Sequence, residues 1–304
     1  MGRGVFASVL ASVLFAGLYY YATLLTPLTG EEIFGWRLVF TAPGATVLLL
    51  ATREWAQVRI TLRRVREQPL LMLIYVANAA MLGVQMWVFM WAPLHGRAMQ
   101  VTLGYFLMPL ILVLIGRVLY RDSISRGQML ATACALVGVT SEFLRVGGLP
   151  WPTVLVSLGY PAYFVCRRHF RIDHHGDSWL ELHLLIPAAV LFVLNGPTGL
   201  GGLPDHSHLL ALIPGLGLIS ALAFSLYFFA MRTLNFSLFG LLGYVEPVLL
   251  VFVAFLLGER LSGRELMTYV PIWLAVGVLV AEGAWRVTHL RKRHAVPVTD
   301  PVVG

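Results

Sequence analysis

Ten transmembrane helices arranged as two inverted five-helix repeats form the all-α polytopic membrane fold that this sequence predicts, and three observations predict it. The chain of 304 residues is 58% hydrophobic and only 12% charged, where an ordinary soluble domain carries roughly a quarter charged residues. Its apolar residues gather into windows of about 20 bounded by charge, Gly and Pro, the length a helix needs to cross a hydrocarbon core. Short polar patterns recur once in each half. With a mean hydropathy of +0.79, a water-soluble fold is excluded.

The windows are residues 4–24, 31–52, 70–91, 99–119, 127–144, 150–166, 178–195, 208–230, 237–257 and 267–288. The first is long for a signal-peptide core and no small-residue cleavage site follows it, so it is expected to be retained. The second carries Arg37 and Pro43, and the third Asn78, Gln85, Met86, Trp87, Met90 and Trp91. The fourth opens near Gln100 and continues through Leu103-Gly104-Tyr105 to Pro109. In the fifth, Ala131/Ala135 and Cys134/Gly138 have the small-residue spacing of close helix packing. The seventh holds Glu181, His183 and Pro187, and the ninth holds Tyr244, Glu246 and Pro247. Cys134 and Cys166 both sit in apolar runs, so neither a disulfide nor a metal cluster is expected. The stretch 295–304, with Pro297 and Pro301, reads as a disordered tail.

Charge sets the orientation. With both termini cytoplasmic, 17 of the 22 Lys and Arg residues face inward, Arg53, Arg59, Arg63, Arg64 and Arg66 in the longest inner loop among them. The positive-inside rule selects that topology, and it accounts for the net charge of +7 without a nucleic-acid partner. Anionic lipid headgroups would favour the same excess.

Leu103-Gly104-Tyr105 with Pro109 recurs as Leu242-Gly243-Tyr244 with Pro247. Arg37 stands six residues before Pro43, as Glu181 stands six before Pro187. Two homologous halves of five spans, 1–146 and 147–294, must enter the membrane in opposite senses, which is the construction of many secondary transporters. The chain resembles the drug/metabolite transporter superfamily and, within it, the RarD-like branch of the EamA permeases. The resemblance rests on Glu32-Ile33 with Arg37, Trp91, Leu103-Gly104-Tyr105-Phe106 with Pro109, Glu181 with Pro187, Arg232, and Pro271-Ile272-Trp273. It implies ten helices in two inverted halves, an inner-membrane location and movement of small organic solutes, without fixing which. The chain departs from the branch at Phe15, usually tryptophan, Thr23, usually lysine, and Gln100 and Asp122, usually glutamates. If the glutamate at position 100 carries a coupling proton in relatives, Gln100 cannot.

An ionisable group deep in a bilayer needs a partner, a cavity or a function. Glu246, nine residues into its span and so ~13 Å deep, is the first candidate for a coupling or cation-binding carboxylate, against a neutral acid bonded to a neighbouring helix. Arg37 either takes a substrate carboxylate bidentately, or snorkels, or pairs with Glu32. Glu181 and His183 are candidate gating groups at the inner end, or simply interfacial. Gln85, Trp87, Gln100, Tyr105 and Tyr244 complete the expected substrate-binding set. Trp87 and Trp91 equally fit an aromatic belt. Pro109 and Pro247 are the expected helix breaks, where freed carbonyls line cavities. His174-His175 and His206/His208 offer no credible ligand set and read as solvated loop residues, so neither a metal nor a cofactor is expected.

The function expected is a permease or exporter that moves a small organic solute, such as an amino acid, a metabolite or a drug-like compound, across the inner membrane by alternating access. The alternatives are a proton-independent facilitator and an intramembrane lipid-modifying enzyme. No phosphate-binding GxxxxGK[ST] is present. Scattered single polar groups give an enzyme no clustered nucleophile and base. Short inner loops leave no room for a signalling domain.

Overall fold

The computed structural model describes residues 2–120, 125–172, 174–200, 207–234 and 242–294, and among them every regular element is a helix. In order these are α1 (Gly2–Leu24), α2 (Gly30–Ala51), α3 (Trp55–Glu67), α4 (Leu70–Leu94), α5 (Ala98–Tyr120) and α6 (Arg126–Val146). There follow α7 (Trp151–His169), α8 (His175–Leu184), α9 (Ile186–Asn195), α10 (Ser207–Thr233), α11 (Val245–Leu256) and α12 (Leu266–His294). Seven segments are long and apolar enough to cross a bilayer: α1, α2, α4, α5, α6, α8 with α9, and α10. Large apolar side chains such as Val118, Leu136, Leu144, Leu218 and Leu256 point outward, as a lipid-facing surface requires.

Local chemistry sets the helix ends. Thr29 caps α2 by accepting the Glu32 amide, while the Glu32 carboxylate accepts the Thr29 amide at 2.9 Å. Ser125 and Gln128 repeat that reciprocal capping at the start of α6, which ends on Gly147 in the left-handed region. The first two amides of α5 donate to Glu259, Ala98 N at 2.6 Å and Met99 N at 2.8 Å, tying α5 to the loop after α11. Burial raises the Glu259 carboxyl above its ordinary pKa, and the two amide bonds oppose that shift.

Four features depart from the sequence expectation. Residues 55–67 form a helix, α3, where the charge run reads as a loop. It turns Val58 and Thr61 into the protein against α8 and leaves Arg59, Arg63 and Arg66 outside. Second, the segment 178–195 is two helices, because the chain breaks at Leu185 just before Pro187, which occupies the first turn of α9. A proline there lacks an amide that the first turn would leave unpaired anyway. Third, His174 and His175 belong to the start of α8: His174 is its N-cap and the His175 amide donates to Gln57 Oε1 at 2.9 Å. Fourth, α5 stays helical across position 109, whereas α11 begins at Val245, two residues before Pro247. His206, Asp122, and the segments 237–241 and 295–304 lie outside the described residues.

Close approaches explain two sequence signals. A Cβ on Gly104 would sit 2.7 Å from Val156 Cβ, so the glycine of Leu103-Gly104-Tyr105 lets α5 press on α7. A Cβ on Gly138 would meet Thr268 O at 2.6 Å, so the small-residue stripe of α6 is spent on α12. The main core joins α1, α2, α4, α5, α6, α7, α10, α11 and α12.

Candidate functional site

The centre of the bundle holds a ring of aromatic side chains around two separated charges. Arg37, on α2 seven residues from its start and so ~10 Å along it, is buried, and its Nε donates to Ser220 Oγ of α10 at 3.0 Å. The guanidinium carbon lies 5.5 Å from the Phe89 ring of α4 and 6.0 Å from the Phe224 ring of α10, a distance at which ring faces attract a cation. Among the described residues it forms no ion pair, and its terminal nitrogens have no hydrogen-bond partner.

From Phe89 the aromatic wall continues to Tyr105, 6.2 Å away edge to face, and from Tyr105 to Tyr160 of α7 at 5.6 Å. The two tyrosine hydroxyls are 3.2 Å apart. On the other side Phe224 packs edge-on against Phe15 at 5.3 Å, and Phe15 against Tyr227 at 6.3 Å. Glu246, in the first turn of α11, interacts electrostatically with Arg37, Tyr105, Tyr160 and Tyr227. It makes no direct hydrogen bond or ion pair among the described residues. An arginine fork and a carboxylate thus lie within electrostatic reach of each other and of the same tyrosines, with no hydrogen bond or ion pair joining them among the described residues.

Another carboxylate, wholly buried, is fully engaged. Glu181 of α8 accepts from Tyr163 Oη at 2.7 Å and Asn78 Nδ2 at 3.2 Å, and pairs with Arg167 Nη1 at 2.5 Å. Arg167 also donates to Ser178 Oγ at 3.2 Å. One turn before, Asp177 accepts from Thr61 Oγ1 at 2.6 Å, Tyr75 Oη at 2.7 Å and the His174 amide at 2.8 Å. These bonds lock α3, α4, α7 and α8 together at the arginine-rich end. His183 turns the other way: its Nε2 lies 3.2 Å from Thr46 Oγ1 of α2, and its ring stacks on Trp179 at 4.1 Å.

The opposite end is aromatic. Trp87, Trp91 and Trp151 pack at 5.0 to 6.2 Å between centroids, and Trp87 Nε1 donates to Glu31 Oε1 at 2.9 Å. Here the expected Arg37–Glu32 pair is corrected. Glu32 faces away from Arg37, capping its own helix and accepting the Thr198 and Gly199 amides at 2.9 and 3.1 Å. The pattern Thr29-x-x-Glu32 is a capping box, and it outcompetes an ion pair at five-residue spacing.

Of the expected site residues, Arg37, Tyr105 and Glu246 come together at the centre. Tyr244 stands at the N-cap of α11, partly buried against the main core. Gln85 instead donates Nε2 to Leu155 O at 2.8 Å, bridging α4 to α7. Gln100 lies at the start of α5, accepting from Arg97 Nη1 at 3.1 Å. Trp87 belongs to the tryptophan cluster at the opposite end, and Glu181 and His183 to the arginine-rich end. Phe89, Tyr160, Ser220, Phe224 and Tyr227 were not singled out by sequence. Only Tyr160, a polar aromatic beside Pro161 in an apolar span, carried a local signal for it. No cluster of three potential metal ligands occurs among the described residues.

No family model matches the chain. It is 42% identical over 278 residues to the chloramphenicol-sensitive protein RarD of Pseudomonas aeruginosa, covering 90% of this chain and 92% of that one. An uncharacterized transporter of Pasteurella multocida is 38% identical over 295 residues, covering 97% of this chain and 100% of the relative. Protein RarD of Escherichia coli is 21% identical over 288 residues, 93% of this chain and 95% of its own. One solved crystal structure aligns with a TM-score of 0.53 at 17% identity, over 92% of this chain and 98% of that one, a likeness of fold alone.

Proposed function

The chain belongs to the RarD family of multi-pass membrane transporters, and on that premise we propose that it is a secondary transporter for small organic solutes with its binding site between Arg37 and Glu246. The observation that carries this reading is the pair of opposite charges held apart in an aromatic-lined centre. A substrate carboxylate would fit the open guanidinium fork bidentately. A substrate amine or other donor would fit Glu246, and an apolar or aromatic body the rings between them. Amino acids and amphiphilic drug-like compounds satisfy that description, whereas sugars leave the charges unmatched. No chemical step is assigned to the site.

We further propose that α7, α11 and the apolar part of α12 complete ten spans with the seven longer segments. Residues 1–146 and 147–294 then form inverted halves in the inner membrane, with both termini cytoplasmic. Helix pairing supports this. The packing of α1 on α10 is matched by α7 on α4, and that of α5 on α7 by α11 on α1, as an exchange of each span with the fifth after it requires. Alternating access would rock the halves about the central site. Such rocking would have to break the bonds that tie helices at each end: Glu32 on residues 198 and 199 and Glu259 on α5 at the arginine-poor end, and the Glu181 and Asp177 bonds at the arginine-rich end.

The test is uptake by proteoliposomes of labelled amino acids, organic acids, amines and amphenicols, by the wild type, Arg37→Gln and Glu246→Gln, with and without a pH gradient. Loss of carboxylate transport in Arg37→Gln, with pH dependence lost in Glu246→Gln, supports a proton-coupled transporter. Transport by the wild type that ignores the gradient would assign a facilitator instead. Unchanged uptake in both variants would remove the site.

A further inference from the structure

At the arginine-rich end α2, α8 and α10 diverge around a groove of about 150 Å³, lined by Ala45, Leu49, Leu182 and Phe229 with Trp179 and Ser225. Its walls are apolar along the helices; the Ser225 hydroxyl is spent on Ala221 O at 2.6 Å in its own helix. Polar groups collect where α2 ends and α8 begins, at Thr52, His175 and Ser178. From Ala45 to Thr52 the groove follows seven residues of α2, ~10 Å, which suits a stretch of acyl chain. Arg53, the next residue, is exposed; its amide donates to Leu50 O at 3.1 Å, and its side chain has no hydrogen-bond or ion-pair partner among the described residues. Arg59 and Arg66 of α3 are likewise exposed and unpartnered among them. Beside them α3 exposes Ile60 and Leu62, a mixture that seats a helix in the headgroup layer.

We propose that this groove is a lipid site that takes an acyl chain of an anionic phospholipid, with the phosphate of its headgroup held by Arg53. The chemistry is matched at both ends: hydrocarbon against an apolar channel inside the bilayer, and a phosphate against a free guanidinium at the level where headgroups lie. The inference needs only that the protein sits in a membrane, and stands or falls independently of the transport cycle.

Trp179 in the groove wall supplies the readout. The full-length protein is placed in phosphatidylcholine nanodiscs containing a small fraction of brominated phosphatidylglycerol or brominated phosphatidylcholine, since bromine quenches indole fluorescence at contact. Subtracting the quenching of Trp179→Phe isolates the groove signal from the other seven tryptophans. The expected result is half-maximal quenching at a phosphatidylglycerol fraction about fivefold below that for phosphatidylcholine. Arg53→Gln should erase the preference while keeping the signal. Ser225→Leu should abolish the signal by filling the groove, and Ala45→Leu makes the same test from the opposite wall, each variant checked by its thermal midpoint. Equal quenching by the two lipids in the wild type overturns the proposal. So does a signal that survives both fillings, or one displaced by an amino acid or amphenicol and not by unbrominated phosphatidylglycerol.

Discussion

Glu181 and Glu246 are both acids set among apolar helices of the second half, and their surroundings could hardly differ more. Glu181 is enclosed by a guanidinium, a phenol and an amide that hold helices of both halves together. Glu246 lies within electrostatic reach of Arg37 and of Tyr105 and Tyr160, and makes no hydrogen bond or ion pair among the described residues. A buried ion pair with its remaining lone pairs satisfied is a structural clamp. A charge left with spare hydrogen-bonding capacity is either a cost or a site. The difference teaches that depth in the membrane does not mark function; unspent partners do.

That contrast can be broken most forcefully at Arg167. Arg167→Met strands the Glu181 carboxylate in the interior and should destabilise the protein by about 3 to 5 kcal/mol, read as a loss of unfolding free energy in detergent. Adding Glu181→Gln should restore most of it, because the uncompensated charge is then gone. A single variant as stable as the wild type would mean that Glu181 is neutral and the clamp is an ordinary hydrogen-bond cluster. Arg37→Gln should reverse the pattern. With one hydrogen bond to Ser220 and two ring contacts to lose, and no ion pair, stability should fall less than in Arg167→Met, while transport of carboxylate-bearing solutes falls about 10- to 100-fold, the worth of a charge-assisted contact. Glu246→Gln keeps the side-chain shape and should act more mildly, lowering transport several-fold and removing its dependence on a proton gradient. A Glu246→Gln protein that loses stability as Arg167→Met does would place Glu246 among the clamps.

How much of this was legible beforehand varies with the physics. Seven of the ten apolar windows correspond to segments long and apolar enough to cross a bilayer, because burial in lipid demands unbroken hydrophobicity, and Arg37 and Glu246 stood out against that background. α3 did not, since a narrow stripe of Val58, Thr61 and Val65 among four arginines is outvoted by charge in any window average. The break at Leu185 was half legible: Pro187 marked the place, but Pro43, Pro93, Pro161, Pro214 and Pro271 all sit inside continuous helices. Proline permits a break without imposing one, and neighbouring helices decide. Ser220, Phe89 and Phe224 were invisible for a different reason. They join the site through contacts between α2, α4 and α10, and sequence order says nothing about which helices share a face.

The smallest test of the contrast lies on α3, where two adjacent arginines differ as the two glutamates do. Arg64 Nη1 and Nη2 donate to the carbonyls of Arg171 and Phe170 at 2.8 and 2.6 Å, satisfying backbone oxygens where α7 ends. Arg63 pairs with Glu67 at 2.7 Å on a surface open to solvent. The Glu67 carboxylate raises the Arg63 pKa above its ordinary value, yet water and salt screen such a pair until little of it reaches stability. Arg64→Gln should therefore cost on the order of 1 kcal/mol, within the usual range for bonds to a charged donor discounted for partial exposure. Arg63→Gln should leave the unfolding curve where it is, at low salt and at high. If the two variants behaved alike, partner saturation would not be what fixes α3 on the bundle, and the weight would pass to Val58 and Thr61 packed beneath it.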